Sequence, residues 1–367
     1  SLTLDGKDHQ SCQFLSKRAP DESHEFTWKE VTTTRGGELA EILGDQLRSV
    51  DSLVVKGNVN DKDFHAMWDA SLYGYLSVIN LKNAVLENNA VPDTAFFHEN
   101  EQYEGSSHEI FYYIGLRKII LPEGLEKIGE GAFYQASALR QVNFPSTLRY
   151  IGDFAFNATK LEMNQLVIPE GVEEINQYAF AFCRKLKAQV TLPSTIKKIG
   201  EWAFYGCPIT SINLPEGLES LGSLAFWDCD LREVSIPSSC HEFNEGWQFG
   251  FNRNLEKMHL PEGMTEIPDH FAVDCFRLRE VNFPHTLKHI GEKAFSLCMS
   301  LKNVELPLGM QSLGEEAFSE LEALEQIVFP ASMKSLGKNS CSYWKNIKRI
   351  YCAAMEPPVC DPTDGGV

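Results

Sequence analysis

Several things are missing from this sequence, and each absence narrows what the chain can do. No run of eighteen apolar residues occurs in the 367 positions, so no bilayer-spanning helix is encoded. Residues 1–20 lack the charged start and apolar centre of a secretion signal. Basic residues are outnumbered, 33 against 51 acidic ones, and the net charge of −18 repels phosphate backbones and anionic lipid unless a local basic cluster overrides it. No such cluster is visible along the chain, which argues against nucleic acid as a partner. There is no C-x-x-C pair, G-x-S-x-G, H-E-x-x-H or Walker sequence, and no pair of acids recurs in a defined setting. Catalysis, a cofactor and a metal centre are therefore not expected. What remains, 43% hydrophobic and 23% charged, is the composition of an ordinary water-soluble protein.

The informative feature is a period. Prolines that follow an apolar strand end stand at 122, 145, 169, 193, 215, 237, 261, 284, 307 and 330, separated by 22 to 24 residues. A period of this length sustained over ten units is the mark of a solenoid, within the window of leucine-rich repeats. Counting from each proline, position three is apolar throughout (Leu125 to Met333), and so is position six (Ile128 to Leu336). Positions ten and eleven read Ala-Phe in seven units, so Phe133, Phe156, Phe180, Phe204, Phe226, Phe295 and Phe318 should stack as one ladder in the core. Position seven is Gly in seven units, Asn in two and Pro in one, which predicts a sharp corner at positive φ. Before each proline an alternating segment such as "QVTLP" or "EVSIP" has the period of a short strand with one buried face, and stacking these strands builds a long parallel sheet. The fold class is thus α/β but β-rich: a solenoid of about a dozen coils.

The pattern L-P-x-[GT]-[LIM]-x-x-I-G-x-x-A-F-x-x-C-x-x-L-x-x-[IV]-x-[LF]-P resembles the BspA-like leucine-rich repeat. It is followed well from about Leu116 to Cys352. Units at Pro237 and Pro261 depart from it, with Trp247-Gln248-Phe249 and Phe271-Ala272 in place of Ala-Phe. The resemblance implies a surface or secreted protein of the kind found in gut and oral Bacteroidetes, extracellular after loss of a leader ahead of Ser1. It also implies a non-enzymatic module that binds host or environmental protein or glycan.

Four regions follow. Residues 1–50 read as a polar tail and a helical cap, with Leu39, Ile42, Leu43, Leu47 and Val50 on one face. Residues 51–115 read as degenerate first coils with strands near Leu53–Val55 and Leu76–Ile79, a further unit at Val91, Pro92, Ala95 and Phe96, and an insertion at 97–115. The insertion is acidic and aromatic, and Phe111, Tyr112 and Tyr113 are expected to fold down over the next coil. Residues 116–352 are the regular coils, and 353–367 a terminal cap and tail.

Cys183, Cys207, Cys229, Cys275 and Cys298 all fall at position fourteen and read as small apolar fillers, reduced and buried. Cys352 and Cys360 are the better candidates for a disulfide. His285 and His289 have a metal-ligand spacing only on a helix, and this segment is extended. Gly129 and Gly131 belong to a corner, not to a phosphate loop.

The strand residues that point away from the core are those free to serve function. They form two columns, two and four residues before each proline, and the candidate ligand-binding set taken from them is Asn143, Gln189, Thr191, Asn213, Glu233, Ser235, Lys257, His259, Glu280, Asn282, Asn303 and Glu305. This polar, amide-rich face suits hydrogen bonding to a glycan or a peptide backbone. A structural spacer without a ligand, or a glycan-capturing accessory of a nutrient-uptake system, are the alternative readings.

Overall fold

The computed structural model describes residues 24–97 and 114–361. It is a parallel-strand solenoid of about 13 turns with little helix. Every strand pairing is parallel and runs between consecutive coils. Two sheets are stacked along the coils, not one. The first sheet holds the expected segments before the prolines, such as Gln165–Val167, Gln189–Thr191 and Ser211–Asn213. The second is made of two-residue strands at positions five and six, such as Glu174–Ile175, Lys198–Ile199 and Ser220–Leu221.

The core lies between the sheets, and the alternation read from the sequence decides which side chains enter it. In Gln189–Thr191 the outer residues are exposed and Val190 is buried, while Ile128, Ile151, Ile175 and Ile199 are fully buried on the second sheet. Stacking coils buries each apolar face against the next, which supplies most of the stabilisation in a repeat array. The aromatic ladder runs from Phe96 through Phe133, Phe156, Phe180, Phe204 and Phe226 to Phe249, with ring centroids 5.2 to 5.6 Å apart and planes within 11° of parallel. The Pro237 coil keeps its rung through an extra residue that places Phe249 on the stack. The inverted Phe271-Ala272 breaks it: Phe249 and Phe271 meet edge to face, and parallel stacking resumes at Phe295 and Phe318.

The corner is not built as the sequence suggested. Gly129, Gly152, Gly200, Gly222, Gly291, Gly314 and Gly337 do not adopt positive φ. Glycine is needed there because consecutive coils touch through backbone: a Cβ on Gly222 would lie 2.4 Å from the Glu201 nitrogen and 2.5 Å from the Gly200 carbonyl carbon. The left-handed residues are instead those at positions nine and thirteen, among them Phe154, Tyr178 and Trp202 at nine and Ala158, Phe182 and Asp228 at thirteen. Bulky side chains adopt this region at a cost of the order of 1 kcal/mol each. The return is a third ladder between coils. Tyr178, Phe180 and Phe182 donate their N–H groups to the carbonyls of Glu201, Ala203 and Tyr205 at 2.9, 2.9 and 2.8 Å.

Position fourteen also has a role beyond filling space. Carbonyls at position eleven receive the thiol of the next coil: Cys183 donates to Phe156 O at 3.2 Å, Cys207 to Phe180 O at 2.9 Å and Cys229 to Phe204 O at 3.3 Å. Where cysteine is absent another donor replaces it, Asn252 Nδ2 to Phe226 O at 2.7 Å and Trp344 Nε1 to Phe318 O at 2.7 Å. All five thiols are free and buried. Cys352 and Cys360, the better candidates for a disulfide, are free as well, exposed on strands of different sheets.

At the N-terminal end, Trp28–Thr33 is an edge strand paired with Ser52–Val59. The predicted helical stretch forms α1, Leu39–Leu43, and a 3-10 turn, Gly44–Ser49. It connects these two strands, so among the described residues the strand and not the helix comes first. Ile42 is 49% exposed, outside the buried face set by Leu39, Leu43, Leu47 and Val50. A second helix, α2, Asp61–Tyr73, occupies the link to the strand Val78–Leu86, where only degenerate coil was expected. Asn60 and Asp63 form its capping box. The buried Asp63 carboxylate also accepts the N–H groups of Gly37 and Leu39 at 2.7 and 2.9 Å, fastening the two helices together. At the other end the repeat runs on past Cys352, with Arg349–Cys352 and Val359–Cys360 each adding a strand.

Candidate functional site

The outward columns of the first sheet are where the sequence placed a ligand, and parallel register brings them together as rungs. Gln189 lies between Gln165 and Ser211, Thr191 between Val167 and Asn213, Lys257 between Glu233 and Glu280, and Asn303 beside Gln326. The twelve candidates divide into three groups by what their side chains already hold.

Three asparagines are clamps. Asn143 accepts the Leu121 N–H at 2.7 Å and donates to the Leu121 carbonyl at 3.0 Å. Asn213 does the same with Leu192, and Asn282 with Leu260. The residue before proline ends a strand, because proline has no N–H to continue the ladder. In coils followed by Thr191 or His259 a backbone carbonyl meets that last N–H, at 3.0 and 2.9 Å. At Leu121, Leu192 and Leu260 the asparagine amide does so. Four more candidates are engaged across rungs: His259 Nε2 lies 3.2 Å from a Glu233 carboxylate oxygen, and Lys257 forms an ion pair with Glu280 at 3.0 Å. The remaining five, Gln189, Thr191, Ser235, Asn303 and Glu305, are exposed and make no side-chain hydrogen bond to other described residues.

Residues named for other chemistry are dispersed. His285 Nδ1 faces Glu262 of the coil before at 3.1 Å, and His289 Nδ1 faces the Ser312 hydroxyl of the coil after at 2.7 Å. No group of three or more His, Cys, Asp or Glu placed to hold a metal occurs among the described residues. Burial pushes the Cys275 thiol up to about 12 and those of Cys207, Cys229 and Cys298 well above the ordinary range. The insertion residues Tyr103, Phe111, Tyr112 and Tyr113 lie outside the described residues.

A second surface was not anticipated. The left-handed turns carry a half-buried aromatic row in which Phe154 stacks on Tyr178 at 4.7 Å and Tyr178 on Trp202 at 5.3 Å. Farther on, Trp227 leans on Trp247 at 5.2 Å, and Trp247 stacks on His270 at 3.6 Å. Its signal was in the sequence, aromatics recurring at position nine, but the ladder at position eleven drew the eye. These rings stack against one another along the solenoid, so their faces are occupied and their edges meet solvent. The row offers little free ring face to a sugar, and its contacts offset the strain of the left-handed backbone beneath it.

The BspA type leucine rich repeat region matches residues 106–189, 187–296 and 270–355, in 6 copies. The chain belongs to this family. Among curated proteins nothing matches the BspA-type chain. Solved structures resemble it in fold. The leucine-rich repeat protein from Bacteroides ovatus ATCC 8483 is 20% identical, covering 83% of this chain and 79% of its own, with a TM-score of 0.50. A leucine rich cell surface protein from Faecalibacterium prausnitzii A2-165 is 21% identical over 72% of this chain and 83% of its own, with a TM-score of 0.40. The pneumococcal vaccine antigen PcpA is 20% identical over 84% and 69%, with a TM-score of 0.39. No helix among the described residues of this BspA-type protein is long and apolar enough to cross a membrane.

Proposed function

We propose that this protein is a non-enzymatic binding module displayed at a cell surface or secreted, and that it holds an extended protein or glycan ligand along the first sheet. Its membership of a repeat-scaffold family supports the module, and the resemblance of its repeat to those of bacterial surface proteins supports the location. The observation that carries the reading is the set of exposed, uncommitted polar groups on three successive segments of the first sheet: Gln189 and Thr191 with Gln165 beside them, then Ser235, then Asn303 and Glu305. An extended ligand laid along these segments gains many weak hydrogen bonds at once, the way solenoid surfaces bind. The clamping asparagines and paired charges between them hold the rungs in place.

Screening the purified protein against a glycan array and a panel of matrix proteins, alongside a Thr191→Arg/Ser235→Arg variant, tests this. The proposal expects at least one ligand whose binding falls in the variant while the melting temperature holds. A ligand bound equally well by both proteins would remove the first sheet as the site.

A further inference from the structure

The first sheet is interrupted at three steps: after Gln141–Val142, between Ser211–Asn213 and Glu233–Ser235, and once more near its C-terminal end. Glu280–Asn282 pairs with Lys257–His259, and Asn303–Glu305 pairs with Gln326–Phe329, but these two pairs are not joined to each other. At regular steps two consecutive N–H groups reach back to one carbonyl: Arg279 and Glu280 to Glu256 O at 3.0 and 3.2 Å, and Lys348 and Arg349 to Glu325 O at 2.9 and 3.2 Å. The equivalent N–H groups of Lys302 and Asn303 make no such bond to Arg279 O. A cleft of about 690 Å³ opens there, lined in part by Glu256, Arg277, Arg279, Lys302 and Asn303.

Its charges set this gap apart from the one after Ser211–Asn213, where Thr210 and Arg232 precede the two strands. Along this column, Arg279 pairs with Glu256 and, farther on, Lys348 with Glu325. At the open step Arg279 faces Lys302, and like charges opposite one another disfavour strand pairing. The break beside Gln141 differs, for there Arg140 pairs with Glu162, and the Glu162 N–H reaches the Arg140 carbonyl at 2.9 Å. Neither Arg277 nor Lys302 lies within ion-pair distance of a described carboxylate, and the more distant Lys302 charge adds to that of Lys348 in lowering the Glu325 pKa. The lining therefore carries three cations against one carboxylate, in a chain whose net charge is −18. No basic cluster could be seen along the sequence, because the fold assembles this one from two coils.

We propose that this cleft binds an oxyanion of the sulfate or phosphate type carried on a larger molecule, with Arg277 and Lys302 as its charge partners and the unpaired N–H groups of Lys302 and Asn303 as donors. A planar guanidinium, an ammonium and unpaired backbone N–H groups lining one cleft suit a tetrahedral group with several oxygens. The volume is that of a small-molecule site and far exceeds a bare ion, which is why the anion is assigned to a larger body. The cleft shares Asn303 with the binding face proposed above, but the two are distinguished because this one is tested with small probes and needs no macromolecular ligand.

The test is calorimetric titration of the full chain, at constant ionic strength, with inorganic sulfate, N-acetylglucosamine 6-sulfate, glucose 6-phosphate and neutral N-acetylglucosamine. The expected result is one-to-one binding of at least one ester, tighter than inorganic sulfate and absent for the neutral sugar. Whichever ester binds more tightly identifies the source of the anion. Arg277→Ala/Lys302→Ala should weaken that binding about tenfold or more, the loss of roughly 1.4 kcal/mol or more, and the single changes Arg277→Gln and Lys302→Gln should each weaken it if the double variant does not fold. No heat from either ester, or titrations that these substitutions leave unchanged, would overturn the proposal.

Discussion

Replacing Gly222 by alanine asks whether glycine at the corner is there for space or for backbone freedom. The added methyl carbon would meet the Glu201 nitrogen at 2.4 Å, the Gly200 carbonyl carbon at 2.5 Å and the Glu201 Cα at 2.8 Å, all backbone atoms with no rotamer to yield. The Pro193 and Pro215 coils must separate, which loosens the bond from Gly222 N–H to Ile199 O, 2.8 Å in the native chain. Overpacking costs about 1–3 kcal/mol, and a weakened ladder bond adds about 1 kcal/mol, so roughly 2–4 kcal/mol is expected. Gly124 is the control: it sits at φ +97° with nothing within 4 Å of an added Cβ, so Gly124→Ala should lose only about 1–2 kcal/mol of backbone strain. Urea unfolding followed by circular dichroism, with the slope checked for constancy, measures both. Should Gly222→Ala prove no more costly than Gly124→Ala, the close approach of coils is not what selects glycine at position seven.

Phe204→Ala removes the ring held between Phe180 at 5.3 Å and Phe226 at 5.6 Å; about 3–5 kcal/mol should be lost, and a melt that hardly shifts would argue against the ladder. In a thiol titration Cys352 and Cys360 should label at once, while Cys183, Cys207, Cys229, Cys275 and Cys298 wait for denaturant; fast native labelling of the five would take them out of the core. His270 stacks on Trp247, its Nδ1 is buried without a partner, and burial lowers its pKa from 6.5. The unfolded chain therefore takes up the proton first, so stability should be full above pH 6.5 and fall as pH drops below it; His270→Gln should flatten that part of the profile, and an unchanged slope would exclude His270 as its source.

How much of this was legible depends on what each residue type can report alone. Ile199, Val190 and Phe204 sit where the repeat puts them, because a period of 22 to 24 residues fixes which side chains face the shared core. The glycines were located correctly and explained wrongly, since positive φ and close backbone approach select the same residue and only neighbouring coils distinguish them. Helix α2 carried its own signal in Asn60 and Asp63, an aspartate standing where the capping box usually has Glu, and it was missed because the surrounding strands matched the coil pattern. On the candidate face the sequence identified which residues point outward, but not which were already engaged. Asn213 and Ser235 look equally free in a string of letters, yet one is spent on Leu192 and the other is not.

A structure of the protein with whatever ligand the screen yields tests the central claim most directly. The account predicts ligand density along the first sheet, within hydrogen-bond distance of Gln189, Thr191 or Ser235, with the clamps from Asn213 to Leu192 and from Asn282 to Leu260 intact. Density confined to the aromatic row around Tyr178, Trp202 and Trp227, with the first sheet untouched, would contradict it.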